Sequence, residues 1–148
     1  MKTLKKLGTL MVVLFATSVA TAQHKILTLE QLPAKAQTLL KENFGGLDIA
    51  VIWEETEYFS QKEYNVTFND GSEIEFRSNG DWKEVKSRTG NVPANIIPVA
   101  ISQHITKYFQ NTTVREIKRR KSGGYEVELS NGLDLEFNSK GRFVRIDD

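Results

Sequence analysis

Apolar side chains recur at helical spacing over residues 34–44 and 98–109, and at alternate positions in the segments that follow. Ala36, Leu39, Leu40 and Phe44 mark one face of a first helix, which Gly45-Gly46 stops. Just ahead of it, Thr28 and Gln31 have capping-box spacing between the apolar pair Leu27 and Leu32, and Pro33 stands where a missing N–H is harmless. Pro98 opens a second helix, with Ile101, Ile105, Tyr108 and Phe109 as its stripe. Alternation predicts strands with Tyr64, Val66 and Phe68 inward, and with Tyr125, Val127 and Leu129 inward. The turns Asn69-Asp70-Gly71 and Ser130-Asn131-Gly132 lead to further strands burying Ile74 and Phe76, or Leu133, Leu135 and Phe137. Asn79-Gly80 and Lys140-Gly141 turn the chain into last strands at Trp82–Val85 and Phe143–Ile146.

The two halves keep step at an offset of 65 from Ala36/Ile101 to Ile52/Ile117, then at 61 from Tyr64/Tyr125 to Val85/Ile146. One gap between two long matching stretches points to two copies of a supersecondary unit. The expected fold is α+β, a single domain over 23–148. It is expected as a tandem repeat (about 27–88 and 92–148) of helix plus four-stranded antiparallel meander, about eight strands with both helices on one face. The opposite face is left for solvent or a partner.

The N-terminus alters this picture. Lys2, Lys5 and Lys6 precede an apolar run from Leu7 to Ala16 and the small-residue pattern Ala20-Thr21-Ala22, which predicts an export signal over residues 1–22. The run is shorter than the roughly 20 residues of a spanning helix, so no membrane insertion is expected after cleavage. Cleavage leaves 126 of the 148 residues and turns a formal charge of +1 into −2, since three lysines depart. The remainder is not basic enough to suggest nucleic acid. There is no cysteine, so stability must come from packing, and no lipid can be attached to cysteine after export. The expected location is the periplasm, or else the medium, with no cofactor or metal needed for folding.

Taken together, the two (Leu/Ile)-Pro helices ending in Phe44 and Phe109, Tyr64-x-Val66 and Tyr125-x-Val127, Glu73-x-Glu75-Phe76 and Asp134-x-Glu136-Phe137, and Gly80-x-Trp82 and Gly141-x-Phe143 resemble the PepSY-like, β-lactamase-inhibitor-like family of Gram-negative periplasmic proteins. The resemblance covers roughly Thr28 to Asp148. It implies a sheet of about eight strands with both helices on one side, and a non-enzymatic binding or inhibitory role.

Catalytic constellations are missing from the sequence. His24 and His104 are the only histidines. His24 falls in an N-terminal stretch expected to be mobile, and His104 flanks the helical stripe. Glu73, Glu75, Glu126, Glu128, Asp134 and Glu136 alternate outward, where carboxylate pairs could do acid–base work but more simply cover the wet face of a sheet. Ile49-Ala50-Val51-Ile52-Trp53 is apolar at every position, which places Val51 and Trp53 on the outer face if Ile52 is inward. Tyr58 and Phe59 add aromatic surface nearby. Such a cluster beside charges has the composition of a protein-recognition hot spot, unless twist or residues 23–30 cover Trp53. Past that strand Glu54, Glu55 and Glu57 correspond to Arg119, Arg120 and Lys121 in the second half, a pair of oppositely charged hairpins. Solvation explains both, and partner orientation is the alternative. Asn65 begins a glycosylation triplet without consequence in a bacterial protein.

The expected function is thus a non-catalytic module that engages a periplasmic protein or peptide on the outer sheet face, inhibition included. Val51, Trp53, Tyr58 and Phe59 would be anchors, with Glu75, Glu126, Glu128 and Glu136 around them. The alternative is a small-ligand carrier using the groove of the sheet.

Overall fold

The structure, a computed structural model, describes residues 23–56 and 61–147. The predicted export signal, Tyr58 and Phe59 therefore lie outside the described residues. Nine strands form one antiparallel sheet: β1 (Gln23–Ile26), β2 (Ile49–Thr56), β3 (Glu63–Phe68), β4 (Glu73–Arg77), β5 (Trp82–Lys86), β6 (Val114–Arg119), β7 (Tyr125–Leu129), β8 (Asp134–Phe137) and β9 (Phe143–Asp147). Their order across the sheet is their order along the chain. Helix α1 (Ala34–Phe44) lies between β1 and β2 in sequence, and α2 (Val99–Tyr108) between β5 and β6.

The expected tandem repeat of helix plus four-stranded meander, about eight strands with both helices on one face, is corrected by this arrangement. The molecule is mostly one continuous nine-stranded antiparallel sheet, with two α-helices among the described residues. Two findings overturn the expectation. The segment around His24, expected to be mobile, is strand β1, paired with β2 from Gln23 opposite Thr56 to Ile26 opposite Trp53. The strands also run on without a break past residues 88–92, since β5 pairs with β6 through Glu84↔Lys118, Val85↔Ile117 and Lys86↔Glu116. The physical reason is the strand edge. Two separate meanders would each leave unpaired N–H and C=O groups along 82–86 and 114–119, and joining them satisfies both rows.

The core follows from alternation. Ile52, Val66, Ile74, Val85, Ile117, Val127 and Leu135 are register partners across seven consecutive strands, and none is more than 4% exposed. Leu32, Ala36, Leu40 and Phe44, with Ile101 and Ile105, join the same cluster from the helical segments. Full burial of each large side chain contributes roughly 1.5–3 kcal/mol. Phe44 stacks on Phe68 at 5.3 Å between ring centroids, tying the end of α1 to β3.

The approach to each helix is set locally. Thr28 and Gln31 form the capping box of a 3-10 turn over Leu29–Gln31, where the Thr28 N–H donates to Gln31 Oε1 at 2.8 Å. Pro33 then caps α1 and Pro98 caps α2. Gly80, at φ +84°, lies so close to the start of α1 that a Cβ would sit 2.9 Å from Pro33 Cβ. Only glycine fits both that backbone and that space.

A bulge between Glu75 and Phe76 pairs them with Glu84 and Trp82, so Lys83 is the extra residue of β5.

Candidate binding face

The same alternation that buries the apolar row builds a second, polar row. Trp53, Asn65, Glu75, Glu84, Lys118, Glu126, Glu136 and Arg145 are successive register partners from β2 to β9, with Ile26 of β1 at the far end. Beside it runs Thr67, Glu73, Lys86, Glu116, Glu128, Asp134 and Asp147. Acids outnumber bases in both rows, and bases within or beside the rows pair with several of them. Lys118 meets Glu84 at 3.1 Å, Lys86 meets Glu116 at 3.3 Å, and Arg115 meets Glu128 at 3.3 Å.

The closest group forms around the bulge. Lys83 Nζ lies 2.7 Å from both Glu63 and Glu75, whose carboxyls also interact directly. Burial and the hydrogen bond with Glu63 push the Glu75 carboxyl up to about 7, against the pull of Lys83. Burial acts on Glu63 in the same sense, but its bonds to Glu75 and Lys83 outweigh it and hold Glu63 below the ordinary carboxylate range. Glu116 is raised by burial and by repulsion from Glu84, with Lys86 opposing. These groups could pass a proton between carboxylates. Among the described residues, however, no three His, Asp or Glu side chains converge to hold a metal.

Trp53 is half-buried on this face and is not part of the core. It borders a depression of about 160 Å³ with Asn65, Glu73, Glu75, Glu84 and Lys86. Asn65 Nδ2 is buried there without a hydrogen-bond partner among the described residues. An unmet donor beside an aromatic ring is what the sequence reading missed. The signal was the register position of Asn65 opposite Trp53, legible only once pairing is known.

Of the other candidates, Val51 is half-buried two residues from Trp53, and Glu75, Glu126 and Glu128 are half-buried on the same face. Glu136 is different: 7% exposed, it is gripped by Arg120 and by Arg145 Nη2 at 3.0 Å. Those arginines hold its carboxyl below the ordinary range despite burial. His104 stacks on Phe143 at 4.6 Å and meets the edge of Phe137 at 5.6 Å, an aromatic packing position.

Away from the charged rows, a cleft of about 470 Å³ is lined mainly by Leu29, Leu40, Phe44, Leu47, Ile49 and Phe68, with Gln37 and Lys41 at its edge.

The chain is a small single-sheet protein with paired charges on its polar rows, and it is similar to a known family and to solved structures. The family described as "Putative beta-lactamase-inhibitor-like, PepSY-like" matches residues 62–145. A crystal structure of a Bacteroides thetaiotaomicron protein, described as a "putative calcium-regulated periplasmic protein", is 34% identical with a TM-score of 0.80, covering 84% of this chain and 97% of that one. A periplasmic protein of the DUF2874 family from Bacteroides vulgatus is 33% identical, with a TM-score of 0.79 and the same coverage. A second Bacteroides vulgatus periplasmic protein, of unknown function, is 31% identical, with a TM-score of 0.78 over 85% of this chain and 100% of that one. No curated protein matches the chain significantly. The chain belongs to the PepSY-like, β-lactamase-inhibitor-like family and is a periplasmic protein. No helix among the described residues is long and apolar enough to cross a membrane.

Proposed function

We propose that the protein is a non-catalytic periplasmic module that engages a protein or peptide on the polar rows of its sheet, with Trp53 as the central anchor. The observation that carries this reading is the pairing of a half-buried Trp53 with the buried, unpartnered Asn65 amide in one depression. A partner carbonyl would satisfy that donor while its side chain covers the indole, the combination of aromatic anchor and desolvated polar contact typical of hot spots. Val51 extends the apolar patch, and Tyr58 and Phe59 follow in the same connection. Glu75 borders the same depression as Trp53, whereas Glu126, Glu128 and Glu136 line a separate one further along the face. Most charges on this face are already matched, which favours a preformed surface that loses little entropy on binding. Inhibition of an enzyme is one use of such a surface, consistent with the family description.

The rival reading, a small-ligand carrier, is favoured by the apolar cleft beside α1, whose volume is within the roughly 300–1,000 Å³ of ligand pockets. The depression at Trp53 is smaller than that range.

One experiment separates them. The mature domain and its Trp53→Ala variant are used as baits in periplasmic extract, and the captured material is weighed by native mass spectrometry. The expected result is one stoichiometric protein or peptide whose affinity falls by about 2 kcal/mol or more in the variant, with the melting temperature nearly unchanged. Equal capture by both baits removes Trp53 from the site. A co-purified small molecule with no protein partner favours the carrier.

A further inference from the structure

The ladder between β5 and β6 ends at Glu84↔Lys118, and the residues beyond it build a second, cationic site. Arg119 lays its guanidinium over the Trp82 ring at 3.9 Å. Its carbonyl accepts from Arg77 Nη2 at 3.5 Å. A cavity of about 550 Å³ opens here. Among the described residues six cations line it, Lys62, Arg77, Lys83, Arg119, Arg120 and Lys121, against one carboxylate, Glu63.

Three of those cations are occupied. Lys62 pairs with Glu54, Lys83 with Glu63 and Glu75, and Arg120 with Glu126 and Glu136. Arg77, Arg119 and Lys121 have no ion-pair partner among the described residues, and Arg119 Nε is buried without a hydrogen bond. Like charges held together in a partly enclosed space repel one another more strongly than in open water. All three line the same cavity. Packing on Trp82 also fixes the plane of one guanidinium, which removes much of the ordering cost of a bidentate contact.

We propose that this cavity binds a small multivalent oxyanion, with carboxylate or phosphate oxygens held by Arg77, Arg119 and Lys121. Two planar forks and one mobile ammonium suit a ligand carrying oxygens in more than one direction. The volume admits a molecule larger than a single phosphate and falls within the usual range for small-ligand sites. The exposed Ser78 hydroxyl, also in the lining, can donate to a further oxygen. The site is separate from the Trp53 depression, so it stands or falls independently of the protein-binding reading.

The test is calorimetric titration of the full mature chain with citrate, with pyrophosphate and with hexaglutamate. The expected result is one-to-one binding of citrate or pyrophosphate that weakens as salt rises, the responding probe telling carboxylate from phosphate. Arg77→Gln and Lys121→Gln should each lower that affinity about tenfold. Lys121 is exposed and forms no part of the core, so its variant keeps the wild-type melting curve even if Arg77→Gln does not. Absence of heat with both small anions at millimolar concentration overturns the proposal. Affinity unchanged in Lys121→Gln and Arg77→Gln also overturns it, as does binding of hexaglutamate alone, which would mark an acidic-peptide surface.

Discussion

Two glycines with the same backbone angle show how much a single position depends on what surrounds it. Gly80 and Gly132 both have φ +84°, but a Cβ on Gly80 meets Pro33 at 2.9 Å, whereas one on Gly132 meets nothing within 4 Å. Gly132→Ala should therefore cost about 1 kcal/mol, the strain of a left-handed alanine alone. Gly80→Ala adds overpacking of roughly 1–3 kcal/mol against the start of α1. Urea melts of the two variants give the comparison, and equal losses would deny the close approach. Glu75 makes a second prediction at this scale. Its folded value of about 7 lies above the unfolded one, so its contribution is complete below the ordinary carboxylate range and is lost as pH rises through about 7. Wild type should lose stability relative to Glu75→Gln between about pH 5 and 8, and the two curves should run parallel if the carboxyl is ordinary.

At the scale of elements, β5 and β6 matter most, because their three register pairs are the hydrogen-bonded link between the N-terminal and C-terminal strands of the sheet. Ile117 is fully buried opposite Val85 in the centre of that link. Ile117→Ala should cost about 2–5 kcal/mol by leaving a cavity, and differential scanning calorimetry should still show one transition. Two separated transitions would mean that the halves are independent units. The helices, the inward residues and most strand positions were legible in the sequence because period and turn chemistry are local. Pairing is not local. The alternation of Val85 and Ile117 shows that both face inward but not that they face each other, and the short polar start of β1, Gln23-His24-Lys25, carries no apolar alternation that would mark a strand. The same limit hid Asn65, whose significance depends on being opposite Trp53, and Arg77, which meets Arg119 from 42 residues away. Trp53 was legible as an outer-face residue because its neighbour Ile52 had to be inward.

For the molecule as a whole, the two exposed borders of the sheet are unlike each other. β1 is anchored by Leu27, which is buried and whose N–H donates to the Ile52 carbonyl at 2.9 Å. β9 is exposed along its length and presents Phe143, Val144 and Ile146, a combination that in isolation would invite pairing with another chain. Arg142, Arg145 and Asp147 interrupt that apolar border with charge, the usual guard against edge association. A strand order identical to chain order carries a further consequence for a protein that works outside the inner membrane. Polypeptides cross such barriers as unfolded threads, one end first. Here every ladder joins consecutive strands, so no early strand must wait, exposed, for a late one to arrive. The sheet can be laid down in the order of delivery, with only the helix-bearing connections before β2 and β6 demanding a pause, and a topology of such short closures limits the time in which the emerging chain could be degraded or mispaired.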